Sequence, residues 1–275
     1  MTSRLSTRFA SLKRANRAAL VTYVMASDPD DATCLAILRG LPAAGADVIE
    51  LGFPFSDPMA DGVSIQLAAQ RALKAGGSLR KTLELAKRFR ETNADTPLIL
   101  MGYANPIESM GYEAFAAAMH AAGADGAIIV DLPPEEDGPL RAAFAAHDLS
   151  IIRLATPTTD EKRLTKVLEG ASGFLYYVSV AGVTGVKEAQ TLSVAPAVER
   201  VRKASGLPVA VGFGVKTPER AASIARVADA VVAGSVLVDE VAAALEANEP
   251  AAPRVLAKVK ALADAVRGAR VAETV

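Results

Sequence analysis

Residues 48–62 read Val48-Ile49-Glu50-Leu51-Gly52-Phe53-Pro54-Phe55-Ser56-Asp57-Pro58-Met59-Ala60-Asp61-Gly62. The run from Asp47 to Gly52 has the apolar character of a buried strand, yet carries a carboxylate, Glu50, near its C-terminal end. Side chains alternate between faces along a strand, so Val48, Glu50 and Gly52 share one side. A charge on a buried strand is costly unless it is paired or used. A loop rich in Pro and Gly follows and brings a second carboxylate, Asp61. Two carboxylates that reach one strand end by different routes can occupy different environments and serve as acid, base or anchor. The same residues also fit a plainer arrangement, with Glu50 paired to a buried cation and Asp61 capping the next helix.

Seven further apolar, β-rich runs flank this one: Ala19–Ala26, Pro97–Tyr103, Gly126–Asp131, Ser150–Thr156, Gly173–Val180, Pro208–Gly214 and Ala228–Gly234. Between them lie helical patterns at Asp31–Ala44, Ile65–Ala75, Leu79–Thr92, Tyr112–Ala122, Glu135–His147, Glu161–Glu169, Leu192–Ala204 and Pro218–Arg226. Two more, Val236–Ala247 and Pro253–Arg267, close the chain. Strands alternating with helices predict parallel pairing and right-handed crossovers. Near-continuous apolar strands fit a sheet covered on both faces. Eight is the number that closes a (β/α)8 TIM barrel. An open doubly wound sheet would place a Gly-rich dinucleotide fingerprint after the first strand, and Tyr23–Pro29 carries none. The repeated phrase Ala-Gly-Ala-Asp, at Ala44–Asp47 and Ala122–Asp125, puts a helix-stopping glycine just before a strand.

The 275 residues suit a single barrel domain, with a frayed tail expected from about Val266. A net charge of −1 supplies no global field for nucleic acid or an anionic membrane. No apolar stretch spans a bilayer without interruption. The lone Cys34 cannot form an intrachain disulfide, which fits a reducing, cytoplasmic setting, and reads as a small core residue. Residues 1–17 are basic and free of acids, like a transit peptide, but Leu5, Phe9 and Leu12 recur at helical spacing. With the first strand following at once, they read as a native N-terminal helix.

In such barrels the active site lies at the C-terminal strand ends. There the seventh strand ends in Gly212-Phe213-Gly214-Val215-Lys216, followed by Thr217 and Pro218, which can cap and open a helix. The eighth ends in Ala233-Gly234-Ser235 and runs into a helix. Glycines let backbone N–H groups approach an anion, and a helix N-terminus favours its charge, so these ends read as a phosphate clasp. Tight turns alone would also use them. A Schiff-base cleavage wants a desolvated lysine, and the predicted strands hold none. The only histidines, His120 and His147, lie on predicted helices without metal-ligand or triad spacing. Carboxylate acid–base chemistry on a phosphorylated substrate remains, with no metal and no cofactor in this chain.

These motifs are similar to those of the tryptophan synthase alpha subunit family. The resemblance runs from Val48–Gly62 through Met101-Gly102-Tyr103-Ala104-Asn105-Pro106-Ile107, Asp131-Leu132-Pro133, Gly182-Val183-Thr184-Gly185 and Gly212-Phe213-Gly214. It implies a cofactor-free lyase that cleaves indole-3-glycerol phosphate to indole and glyceraldehyde 3-phosphate. It also implies a beta-subunit partner, carrying pyridoxal phosphate, in an alpha2beta2 heterotetramer. On the resemblance, Glu50 is the general acid–base and Asp61 steadies the indole N–H. Thr184 holds Asp61 when its loop closes, and Tyr176 sits near the reacting glycerol. Gly185, Gly214, Gly234 and Ser235 form the phosphate clasp. Tyr23, Ile65, Met101, Val130 and Phe213 grip the indole, although each also fits barrel core. Pro54, Asp57, Met59, Asn105, Pro106 and Ile107 are expected to meet the partner. Val63 stands where the family usually has proline, and Ser179-Val180-Ala181 is more apolar than in some relatives. A sugar-phosphate isomerase or epimerase, and a non-catalytic activator of the beta subunit, are the competing readings.

Overall fold

The computed structural model describes residues 3–178, 189–212 and 214–270. The expected site residues Thr184, Gly185 and Phe213, and the Ser179-Val180-Ala181 stretch, lie outside the described residues. The strands are β1 (Ala19–Met25), β2 (Val48–Gly52), β3 (Leu98–Gly102), β4 (Gly126–Ile129), β5 (Ser150–Ile151), β6 (Arg153–Ala155), β7 (Leu175–Val178), β8 (Val209–Gly212) and β9 (Ala230–Ala233). All pair in parallel, in the order β5-β4-β3-β2-β1-β9-β8-β7-β6. Nine strands stand where eight were expected because Ser150–Thr156 is interrupted at Ile152. Its β5 half pairs with β4 and its β6 half with β7, so the chain itself carries the barrel from one ladder to the other.

The helices are α1 (Arg4–Arg14), α2 (Asp31–Ala44), α3 (Val63–Lys74), α4 (Leu79–Arg90), α5 (Ala104–Met110), α6 (Tyr112–Ala121), α7 (Gly138–Ala145), α8 (Glu161–Val167), α9 (Ala189–Ser205), α10 (Pro218–Ala225), α11 (Ser235–Glu246) and α12 (Ala251–Gly268). The outward strand residues, such as Ile49, Leu51, Leu98 and Leu100, pack against these helices. The inward residues form a second core of Val21, Val48, Ile99, Ile128, Phe174 and Ala210. Helix α1 plugs its lower end. Leu5, Phe9 and Leu12 are buried against that core, and Phe9 meets Phe174 with ring centroids 5.6 Å apart. The apolar stripe read from residues 1–17 therefore belongs to the fold.

The lower rim is closed by aspartates that each stand just before a strand. Asp47, Asp125 and Asp229 accept the backbone N–H of Leu20, Leu98 and Val209 on neighbouring strands, at 2.9, 2.8 and 2.9 Å. Each also pairs with arginine: Asp47 with Arg17, Asp125 with Arg4 and Arg90, and Asp229 with Arg202. This explains the Asp of the Ala-Gly-Ala-Asp phrase. The glycine ends the helix in a left-handed conformation, with φ of 111° at Gly45 and 73° at Gly123.

Two expectations are corrected. The chain does not fray at Val266, which is buried in the core near the end of α12, and Arg270 beyond it hydrogen-bonds the Ala225 and Ala228 carbonyls. The Asn105-Pro106 segment, absent from the helical patterns read in the sequence, is in helix α5, whose first N–H, at Ala104, is held by the Asp131 carboxylate at 2.8 Å.

Candidate active site

Glu50 points into the barrel from β2. Register places Tyr23 beside it on β1 and Ile99 on β3. The residue is 1% exposed, its Oε1 has no hydrogen-bond partner, and no cation among the described residues pairs with it. Burial alone pushes its pKa up to about 8. The plainer arrangement, with Glu50 in a buried ion pair, is thus not the one found. Near neutral pH the carboxyl is largely protonated and can give a proton.

Asp61 arrives over the strand ends on the β2–α3 loop. The Tyr103 hydroxyl accepts from Ala60 N–H at 3.0 Å and hydrogen-bonds the Asp61 carboxylate. Gln66 Nε2 donates to the Asp61 carbonyl at 2.9 Å, which ties the loop to α3. Gly62, not Asp61, is the N-cap residue of α3, so the carboxylate is free of the capping role. Partial burial raises its pKa while the Tyr103 bond opposes the rise.

Asp61, Tyr23, Met101 and Val130 line one narrow cavity at the mouth, with Phe53, Phe55 and Tyr103. Ile65 packs beside Tyr23 and Met101. Tyr176 enters from β7, half-buried, and its phenol is held un-ionised by burial and by Glu50. Two glycines make room for the phenols. A Cβ on Gly52 would lie 2.2 Å from the Tyr23 hydroxyl, and one on Gly212 would lie 2.1 Å from that of Tyr176. Tyr103 was legible only as a strand-end polar residue. Its bonds to Ala60 and Asp61 cross more than 40 positions, and no local pattern signals them.

Two residues beyond the Gly212–Val232 pair of β8 and β9 stand Gly214 and Gly234. Gly214 has φ of 68°, a left-handed conformation suited to glycine. Gly234 is the N-cap of α11 and Ser235 its first residue, so the helix presents its unpaired N–H groups at the barrel mouth. Lys216 is exposed to solvent.

The residues expected to meet a partner divide. Met59 is 79% exposed, Asp57 and Asn105 are exposed and Pro106 half-buried. Ile107 is corrected: it is fully buried in the main core, because α5 turns it inward. Pro54 is also buried, directly after Phe53 at the strand end.

Together these features define a (β/α)8-barrel enzyme with two carboxylates at its mouth and two glycine-bearing strand ends beside them. The sequence matches the tryptophan synthase alpha chain family over residues 9–267. It is 64% identical over 267 residues to the tryptophan synthase alpha chain of Caulobacter sp. (strain K31), covering 97% of each chain. To that of Phenylobacterium zucineum (strain HLK1) it is 65% identical over 268 residues, covering 98% of this chain and 97% of the other. The structure of tryptophan synthase subunit alpha from Legionella pneumophila str. Paris superimposes with a TM-score of 0.88 at 41% identity, covering 97% of this chain and 99% of that one. The chain belongs to the tryptophan synthase alpha chain family.

Proposed function

We propose that Glu50 and Asp61 are the proton-transfer and electrostatic groups of a retro-aldol cleavage. As a member of its family the chain is a carbon–carbon lyase of tryptophan biosynthesis, which cleaves indole-3-glycerol phosphate to indole and glyceraldehyde 3-phosphate. Protonated Glu50 gives its proton to indole C3, and the positive charge that forms on the ring nitrogen is steadied by Asp61. The Glu50 carboxylate then takes the proton of the glycerol hydroxyl on the carbon bonded to C3. The carbon–carbon bond breaks, its electron pair restores the indole, and the aldehyde forms. One carboxyl thus serves as acid and then as base and ends as it began.

The observation that carries this reading is a buried glutamic acid whose Oε1 is unpartnered, without a cation among the described residues, inside the barrel mouth, where burial raises its pKa to about 8. Gly214, Gly234 and Ser235 supply the phosphate clasp, and Tyr23, Ile65, Met101 and Val130 the walls for the indole. Thr184, Gly185 and Phe213 complete the site in this reading, with Tyr176 beside the glycerol. Glu50→Gln keeps the fold by circular dichroism and abolishes indole release. Turnover at the wild-type rate refutes the assignment.

The chain works with a beta subunit in this reading, docked at the barrel mouth. Asp57, Met59, Asn105 and Pro106 contribute, and the exposed apolar stripe of Met59 (79%), Val63 (72%) and Leu67 (49%) extends the surface. Pyridoxal phosphate resides in that partner, the assembly is alpha2beta2, and the setting is cytoplasmic. Among the described residues no helix is long and apolar enough to cross a membrane, and no group of three or more His, Cys, Asp or Glu side chains is placed to hold a metal ion.

A further inference from the structure

We infer that Tyr23 is a positioning residue for Glu50: its hydroxyl leaves the Met25 thioether and donates a hydrogen bond to the Glu50 carboxylate once that group has given up its proton. The inference rests on the acid–base role given to Glu50 above. That role requires a carboxylate to exist, briefly, where no cation among the described residues is present to receive it. A buried, unpartnered charge of this kind needs a donor.

Among the described residues, Tyr23 is the phenol on a strand that pairs with that of Glu50. It stands in register with Glu50 on the adjacent strand, and both side chains point inward. Its hydroxyl passes over Gly52, the next inward residue above Glu50 on β2. The residue is 6% exposed. Among the described residues its hydroxyl has one partner, Met25 Sδ at 3.9 Å, and a thioether is a weak acceptor that is easily given up. The other groups facing this space are Tyr176 on β7, Asp61 and Tyr103 at the mouth, and Asp28 after β1. Asp61 and Asp28 are acceptors when ionised, and Asp28 is already held by Arg71 at 2.7 and 2.8 Å. Tyr103 is engaged with Ala60 and Asp61. Tyr176 faces the same carboxyl, but from β7, lying over Gly212 on β8, and β7 does not pair with β2. Tyr23 keeps its own proton throughout, because burial and the neighbouring carboxylates hold the phenol far from ionisation. A phenylalanine would fill the indole wall as well, so the hydroxyl is the informative atom.

The test is an infrared pH titration of the protonated Glu50 carboxyl in the free protein, the band being identified by its loss in Glu50→Gln. In Tyr23→Phe the midpoint lies about one pH unit above that of the wild type, the worth of one hydrogen bond to a charged group. In indole-release kinetics kcat falls about tenfold while KM holds within about twofold, because ring packing is retained. An unchanged midpoint, or a rise in KM with kcat intact, overturns the inference. Met25→Leu is the second variant and frees the hydroxyl, so the midpoint falls; a midpoint that stays or rises in Met25→Leu also overturns it. Neither midpoint depends on turnover. An active Glu50→Gln would therefore sink the proton-transfer role alone, while the titration still decides whether Tyr23 supports the carboxylate.

Discussion

Glu50→Gln stabilises this protein in alkaline solution relative to the wild type, and the effect disappears in acid. In the unfolded chain the Glu50 carboxyl titrates near its ordinary 4.5, and in the fold near about 8, raised by burial alone. Between those values the folded state holds a proton that the unfolded state has released, so stability falls as pH rises through the window. Below 4.5 both states are protonated and the carboxyl imposes no penalty. Above 8 the penalty is complete. The interval of about 3.5 pH units corresponds to about 5 kcal/mol at about 1.36 kcal/mol per unit, an order-of-magnitude ceiling that water entry would reduce. Glutamine has no proton to lose. Its buried amide adds a pH-independent offset, so the informative quantity is the change in the difference between the two proteins. Urea unfolding midpoints at pH 4.5, 7 and 9 measure it. The stability of Glu50→Gln minus that of the wild type should grow by several kcal/mol across the series. A difference that stays constant refutes the claim that Glu50 is buried without a compensating charge.

Other expectations concern the residues around it. Asp61→Asn removes the charge that steadies the indole nitrogen and should lower kcat about 10²–10³-fold, read by indole release; a kcat near wild type would dismiss the electrostatic role. Gly52→Ala places a methyl group 2.2 Å from the Tyr23 hydroxyl, and overpacking of this sort costs about 1–3 kcal/mol, seen as a lower melting temperature together with reduced kcat. Asp125→Ala strands Arg90 and frees the Leu98 N–H at the lower rim. It should cost about 3 kcal/mol, the low end for a broken buried pair because Arg4 is partly exposed, and leave KM unchanged.

The barrel was legible because its strands are unusually apolar and its helices are punctuated by glycine and capping residues. Asp31–Ala44 and Pro218–Ala225 begin where Asp30 and Thr217 offer their side chains to the first turn. The break at Ile152 was not legible, since it depends on which neighbour each half of the strand pairs with. Helix α5 was hidden because Asn105-Pro106 reads as a turn. A distant carboxylate, Asp131, is what holds its first N–H. The same distance effect concealed Tyr103 and misplaced Ile107. Glu50 was legible for the opposite reason: a carboxylate in an apolar strand is conspicuous without any knowledge of its neighbours.

The two ends of the barrel treat the same chemical group in opposite ways, and this separates stability from chemistry. At the lower rim Asp47, Asp125 and Asp229 are each satisfied by a strand N–H and at least one guanidinium. At the mouth, among the described residues, Glu50 has neither, and Asp61 has a phenol in place of a cation. Arg71, on the helix that follows the Asp61 loop, is already engaged with Asp28 and the Val238 carbonyl of α11. Moving one arginine into the mouth would settle Glu50 as a carboxylate and improve stability at neutral pH. It would also remove the proton the reaction begins with. The lack of a cation beside Glu50 among the described residues is therefore the part of the design on which the acid step depends, and the paired lower rim is what lets the fold carry it.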